Sequence, residues 1–262
     1  MNNYIPPFTI TNDILALTSS IMEKVGRLNN YTNIDKKPIL RKNNTINSIH
    51  SSLAIENNSL TLNQVKDVID GKTVIGSQRE IQEVKNAYEA YEELENINPY
   101  KVDELKRIHG IMTFLTIKDA GEFRNGDEGV FDGDNLIFMA PGPKLVPELI
   151  NNLFTWMNNY KDEINPLIMS SVFHYEFVFI HPFSDGNGRM ARLWQNVILS
   201  KWREIFKYVT IENQIKKYQN EYYEAINTCN INGDSTIFIE FMLKMINNTL
   251  EELVITTNNK DN

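Results

Sequence analysis

The sequence predicts an all-α protein that carries one short β-hairpin. Three observations lead there. Apolar residues recur at three- and four-residue steps along most of the chain, and helix caps and stops punctuate those runs. Only residues 121–142, with five glycines and clustered turn residues, break the helical pattern. At 262 residues the chain can bury about 70–75% of its unfolded surface, so folding requires neither disulfides nor a structural metal. The composition agrees. The single cysteine, Cys229, cannot bridge within the chain, and the four histidines offer no Cys/His set spaced for zinc.

Taken in order, the first helix is expected from Thr11 to Leu28. Ile14, Leu17, Ile21, Val25 and Leu28 form its apolar stripe, and Thr11 or Asn12 caps it. Thr61 with Gln64 and Ser77 with Glu80 are capping-box patterns that open two more helices. The first should stop near Gly71; the second should run to about Asn96, burying Ile81, Val84, Tyr88, Tyr91 and Leu94. Further helices are expected over Val102–Leu115, Leu145–Tyr160, Pro166–Phe179 and Ile211–Asn230. A last one starts near Asp234 or Ser235 and ends before a polar tail at residues 256–262. In the exceptional segment, Val130-Phe131 and Ile137-Phe138 flank Asp132-Gly133-Asp134, which is the pattern of a hairpin.

Charge and hydropathy exclude several functions. A net charge of −8 argues against a surface built to bind nucleic acid, while leaving room for a local basic pocket. The first twenty residues show no basic start followed by an apolar run, so no signal peptide is read. The most apolar stretch, Pro166 to Ile180, is interrupted by His174 and Glu176 and is too short to span a bilayer. The expectation is a cytoplasmic protein with no membrane or nucleic-acid partner.

Chemistry concentrates in His181-Pro182-Phe183-Ser184-Asp185-Gly186-Asn187-Gly188-Arg189-Met190-Ala191-Arg192. A helix ends near Ile180, and another begins near Asn187 or Gly188. Gly186 and Gly188 clear the loop so that backbone N–H groups can face an anion at a helix N-terminus. Arg189 and Arg192, three residues apart, lie on one helical face, and guanidinium groups bind phosphate oxygens in bidentate fashion. Asp185 is a hard oxygen ligand of the kind Mg²⁺ uses together with phosphates. His181, at the mouth of the loop, has the ordinary pKa of a base at neutral pH.

These twelve residues match the signature of the Fic family, HPFx[D/E]GN[G/K]RxxR, at every specified position. The chain is similar to that family also at Gly121-Glu122-Phe123-Arg124, in the hairpin, at His174, and at Glu221-Tyr222-Tyr223 and Asn230, so from about Ser48 to Leu250. The resemblance implies a Fic fold, a helical bundle with a hairpin flap at about 128–140. It divides the chain into an N-terminal helical arm (1–75), a Fic core (76–255) and the tail (256–262). It implies an enzyme that transfers AMP from Mg·ATP to a Ser, Thr or Tyr hydroxyl of a protein target and of itself, releasing pyrophosphate. In that resemblance His181 deprotonates the hydroxyl and Asp185 holds Mg²⁺. Gly186, Asn187 and Gly188 form the anion hole, Arg189 contacts the phosphate chain, and Arg192 binds the γ-phosphate. Tyr222 and Asn230 correspond to an adenine pocket, and Ile137, Phe138 and Met139 to the flap strand that receives the target. Relatives resembling the Doc toxin carry lysine in place of Gly188 and act as kinases; glycine here favours nucleotidyl transfer.

Ser52-Leu53-Ala54-Ile55-Glu56-Asn57 matches the family's inhibitory pattern [S/T]xxxE[G/N], in a helix expected at about 45–57. The resemblance implies that Glu56 pairs with Arg192 and so withholds the γ-phosphate ligand, that Ser52 anchors the helix one turn earlier, and that Asn57 belongs to the same inhibitory motif; without the resemblance the segment reads simply as a helix that ends at Asn57-Asn58. Two alternatives stand beside an autoinhibited adenylyltransferase: a bifunctional or mainly AMP-removing enzyme, and a regulatory protein that holds ATP with little turnover. A homo-oligomer is compatible with the sequence. His174, seven residues before His181, is expected to make a structural hydrogen bond, and His50 and His109 have no partner legible in the sequence.

Overall fold

A computed structural model describes residues 4–29, 38–132 and 135–258. Eleven helices are found among them: α1 (Asn12–Asn29), α2 (Pro38–Ile55), α3 (Leu62–Ile69), α4 (Gln78–Glu92), α5 (Val102–Met112), α6 (Val146–Tyr160), α7 (Pro166–Ile180), α8 (Asn187–Trp202), α9 (Ile211–Lys217), α10 (Gln219–Asn232) and α11 (Thr236–Asn258). The one sheet among these residues is an antiparallel hairpin, β1 (Gly129–Asp132) with β2 (Asn135–Met139), bulged between Val130 and Phe131. The turn residues Gly133 and Asp134, and the end of the expected tail (259–262), lie outside the described residues.

Helix α7 is the axis of the bundle because it is apolar on every face; all but three of its fifteen residues are buried. It packs along α8, with α6 and α11 against its other sides, while α1 covers α11. Trp156 on α6 and Trp194 on α8 are fully buried in this core. A single apolar cluster runs from Ile14 to Val254, so the N-terminal helices share one core with the rest of the chain. Among the described residues no helix is long and apolar enough to cross a membrane.

Three local expectations are corrected. The segment Ile211–Asn230 is two helices, broken at Tyr218 (φ −112°, ψ 41°). On either side of the break, Lys216 Nζ and Gln219 Nε2 donate to the carbonyls of Ala54 (2.9 Å) and Ile55 (3.2 Å), acceptors left over at the C-terminal end of α2. The Thr61–Gln64 capping box forms, but Ser77 makes no side-chain cap. Glu80 instead accepts from the Ser59 backbone N–H (2.6 Å), so its carboxylate is taken by the neighbouring loop. The last helix continues through Asn258 and so takes in the first three residues of the expected polar tail.

Helix α2 ends in a way that explains one letter of the inhibitory pattern. Asn57 adopts the left-handed conformation at φ 66°, and the Asn58 N–H reaches back to the Leu53 carbonyl (3.1 Å). This six-to-one bond is a Schellman stop, whose left-handed residue is normally glycine or asparagine. An Asn57→Gly variant should therefore match the parent in a denaturant melt, whereas Asn57→Ala should lose about 1–2 kcal/mol, the usual strain of a β-carbon in this conformation. Equal stability of the alanine variant would contradict the assignment.

Candidate active site

The loop between α7 and α8 is held from three directions. His181 closes α7 in the left-handed conformation (φ 50°, ψ 59°), its N–H donating to the Phe177 carbonyl at 3.0 Å. Arg124, almost wholly buried, staples this turn: Nε donates to the His181 carbonyl (2.6 Å), Nη1 to that of Gly126 (2.7 Å), and Nη2 to that of Pro141. The Arg124 N–H also donates to the Pro182 carbonyl (2.9 Å). One guanidinium thus joins the end of α7 to both feet of the hairpin, which fixes the hairpin relative to the imidazole.

His109, on α5, holds the other half of the loop. Its Nδ1 accepts from the Gly121 N–H (2.9 Å), so the proton resides on Nε2, which faces the Asp185 carbonyl at 3.0 Å and donates to it. Its ring stacks on Phe183 at 3.6 Å and 5°. Burial pushes its pKa down to about 4, so the ring stays neutral and this tautomer persists. Asn187 supplies the third hold, exchanging hydrogen bonds with the backbone N–H (3.0 Å) and carbonyl (2.8 Å) of Phe183. The Asn187 side chain is therefore occupied by the loop, and its contribution to an anion site is the backbone N–H.

Beyond these holds lies the helix N-terminus. Gly186 is the N-cap at φ 82°, where a β-carbon would also meet Thr113 Cγ2 at 3.0 Å. The N–H groups of Asn187, Gly188 and Arg189 in the first turn have no intrahelical acceptor. Arg189 is buried; its Nη2 donates to Asp185 Oδ1 (2.9 Å), while Nε and Nη1 have no hydrogen-bond partner among the described residues. Asp185 is 32% exposed at the rim and takes a second cation, Arg79 of α4, at Oδ2 (2.7 Å).

Arg192 lies one turn further along α8 and is 2% exposed. Its Nε donates to Ser52 Oγ (2.9 Å), and its Nη2 to the Ser52 carbonyl (2.9 Å) and to Glu56 Oε1 (2.8 Å). Burial disfavours the charge on Arg192, but the charge and hydrogen bond of Glu56, together with smaller neighbouring contributions, raise its pKa overall. The Glu56 carboxylate occupies the space above Gly188. A β-carbon on Gly188 would collide with Oε1, so a larger residue at this position would require the Glu56 carboxylate to shift.

The remaining expected residues divide. His181 is substantially buried, and that burial lowers its pKa below the ordinary imidazole value, against an opposing contribution from the Val178 carbonyl. Tyr222 does not line an open pocket. It is buried, and its hydroxyl meets His174 Nε2 at 2.9 Å, with His174 Nδ1 2.6 Å from Gln195 Oε1. Adjacent Tyr223 is the exposed ring, near the Ile55 carbonyl. Asn230 accepts from the Tyr175 hydroxyl (3.1 Å). On the hairpin, Phe138 is half-buried against Phe179 (5.2 Å) and Met139 is exposed; the side chain of Ile137 lies outside the described residues. His109, Arg79 and Glu83 carry no motif of their own. Arg124 stood in the Gly121–Arg124 match, but apart from the neighbouring Gly126 carbonyl its acceptors, at Pro141, His181 and Pro182, come from segments distant in sequence.

A helical bundle that presents this loop and hairpin at one end of its central helix pair defines a Fic-type domain. Residues 99–199 match the family described as Fic/DOC. A Fic family protein of known crystal structure from Desulfovibrio desulfuricans G20 superposes with a TM-score of 0.92 at 42% identity, over 97% of this chain and 78% of that one. Fic-1 of Caenorhabditis elegans shares the fold, with a TM-score of 0.75 at 23% identity over 94% of this chain and 74% of that one. Among curated proteins, the chain is 30% identical to the protein adenylyltransferase Fic of Nematostella vectensis, over 80% of its own length and 48% of that protein. It is also 30% identical to that of Aedes aegypti, over 79% of its own length and 41% of that protein. The chain belongs to the Fic family. It spans about half the length of these curated relatives or less.

The role of His109 is testable through stability. His109→Phe keeps the stack on Phe183 but removes both hydrogen bonds, leaving the Gly121 N–H and Asp185 carbonyl unpartnered. Each such group costs about 1–3 kcal/mol, so a urea melt should show a loss of about 2–6 kcal/mol with a native far-UV spectrum. A loss below 1 kcal/mol would mean that water replaces the imidazole without penalty.

Proposed function

We propose that the chain is an autoinhibited protein adenylyltransferase, which moves AMP from ATP to a hydroxyl side chain of a protein and of itself. The observation that carries this reading is the juxtaposition at the start of α8: first-turn N–H groups, two buried arginines, and His181 on the rim of the same loop. The names of the curated relatives and the match to the family model support it.

In this reading ATP lies with its phosphates over the N-terminus of α8. The N–H groups of Gly188 and Arg189 and the unpartnered Nε and Nη1 of Arg189 receive phosphate oxygens. His181, neutral at physiological pH because burial lowers its pKa, accepts the proton of the incoming hydroxyl as its oxygen bonds to the α-phosphorus. The α–β bridge breaks and pyrophosphate leaves. Asp185 suits a Mg²⁺ carried by the nucleotide. Among the described residues no group of three or more His, Cys, Asp or Glu side chains could hold a metal, and one carboxylate beside phosphates is a common Mg²⁺ arrangement. When bound, Mg²⁺ neutralises charge on the α- and β-phosphates. The hairpin, pinned by Arg124, receives the target segment along β2, and Asn230 and Tyr223 flank the nucleoside end.

Glu56 is the brake. It occupies Arg192 and the space above Gly188, where the γ-phosphate must sit for the α-phosphate to present its face to the hydroxyl. The arm (1–75) is in this view the regulatory part and 76–255 the catalytic part.

Incubation with α-labelled ATP tests the reading. Glu56→Gly should raise self-labelling by about one to two decades, the worth of a charge-assisted bond of about 1.5–3 kcal/mol. Adding His181→Ala should abolish the label while leaving nucleotide affinity within a few-fold. Labelling unchanged by Glu56→Gly, in a protein that binds ATP, would remove the brake. Labelling that survives the histidine change would remove the base.

A further inference from the structure

Arg79 is the second residue of α4, far in sequence from the loop it touches. Its side chain is 61% exposed, yet its guanidinium is clasped between two carboxylates: Nη2 to Asp185 Oδ2 (2.7 Å) and Nε to Glu83 Oε1 (3.3 Å). Asp185 Oδ1 is also engaged, accepting from Arg189 Nη2 (2.9 Å) and the Gly186 N–H (2.5 Å). Glu83 completes the ring, its Oε1 4.0 Å from Arg189 Nη1. Its other oxygen accepts from Asn58 Nδ2 (2.9 Å), two residues past Glu56. Both oxygens of Asp185 are therefore held by cations or N–H donors.

A divalent cation cannot join this arrangement unchanged. A metal bonded to a carboxylate oxygen sits about 2.0–2.1 Å from it in the case of Mg²⁺, which leaves no room for a guanidinium nitrogen in hydrogen-bond contact on the same side. The two positive charges also repel. Of the two arginines, Arg189 is buried in the first turn of α8. Arg79 extends through solvent and retains Glu83 when it lets go of Asp185, so it is the one free to leave.

We propose that Arg79 gates the metal position: its ion pair with Asp185 competes with the divalent cation and sets the concentration at which the metal–nucleotide complex assembles on the enzyme. This rests on the reading of Asp185 as the metal-holding residue. It assigns to α4 a control over metal loading that is separate from the control of Glu56 over Arg192.

The test uses the full chain, Mn²⁺ as probe, and α,β-methylene ATP, which cannot transfer AMP. Water-proton relaxation enhancement reports Mn²⁺ bound on the protein as distinct from Mn²⁺ on free nucleotide. Four proteins form a cycle: the parent, Arg79→Ala, Asp185→Ala and the double variant. Arg79→Ala should tighten Mn²⁺ binding by about three- to fivefold, the upper range for an exposed ion pair. The same change in the Asp185→Ala background should have no effect. The proposal is overturned if Arg79→Ala leaves Mn²⁺ affinity unchanged or weakens it. It is overturned equally if the tightening persists without Asp185, which would make it a general effect of removing a positive charge. Should Asp185→Ala itself leave Mn²⁺ affinity unaltered, the metal-holding role of Asp185 falls and the gate with it; the cycle thereby separates the two failures.

Discussion

The charge on Arg192 cannot be removed, and the fold buries it. A guanidinium at 2% exposure requires an anion nearby, because an isolated buried charge costs several kcal/mol. The structure satisfies it with Ser52 and Glu56, both from the last turns of α2. The phosphates of a nucleotide are the other anions that could fulfil the requirement. The Glu56 carboxylate stands against Gly188 at the helix N-terminus, where the proposed function places the phosphates, so in that reading the two solutions compete. Regulation in the proposed function is then a contest between two partners for one donor. It needs no large rearrangement of the core, since Glu56 is at the exposed end of its helix, with 39% of its side chain open to solvent.

Such a contest is sharp only if the loop around it is rigid. The backbone groups of His181-Pro182-Phe183-Ser184-Asp185-Gly186 find partners on other elements. Arg124 takes the carbonyls at its start, Asn187 clips Phe183 in its middle, and His109 takes the Asp185 carbonyl near its end. Each hold comes from a different element, so the loop geometry is over-determined. The same contacts couple it outward, through Arg124 to the hairpin and through Asp185 to α4. Glu212 does similar work deeper in the bundle, accepting from Ser48 (2.8 Å), Tyr91 (2.6 Å) and Asn196 (2.5 Å) and so tying α2, α4 and α8 to α9.

The helical class, the hairpin and the twelve-residue loop were legible in the sequence because each depends on short-range rules. Periodicity marks α1 and α4, turn residues mark the hairpin, and glycines and arginines at fixed spacing mark the candidate anion site. The pairing of Glu56 with Arg192 was legible only through a resemblance, since 136 residues separate them; the bonds of Ser52 to the same guanidinium came from the structure. Where local reasoning failed, tertiary contacts decided. The break at Tyr218 has no glycine or proline to announce it and serves the carbonyls of α2. Ser77 lost its box because the Ser59 N–H took Glu80. Tyr222 could not be told from Tyr223 by type, yet one turns into the core toward His174 and the other faces outward. His109 and Arg79 are single residues with no spacing pattern at all, and only the fold brings them to Asp185.

The central claim, that Glu56 and the γ-phosphate compete for Arg192, is tested most directly by nucleotide selectivity. ATP and ADP differ at the γ-phosphate alone, so the ratio of their dissociation constants reads whether Arg192 is available to it. Calorimetric titration of the parent protein should give nearly equal affinities. In Glu56→Gly, ATP should bind about tenfold or more tighter than ADP, the gain expected of a charge-assisted contact worth about 1.5–3 kcal/mol. The same ratio in both proteins would contradict the account.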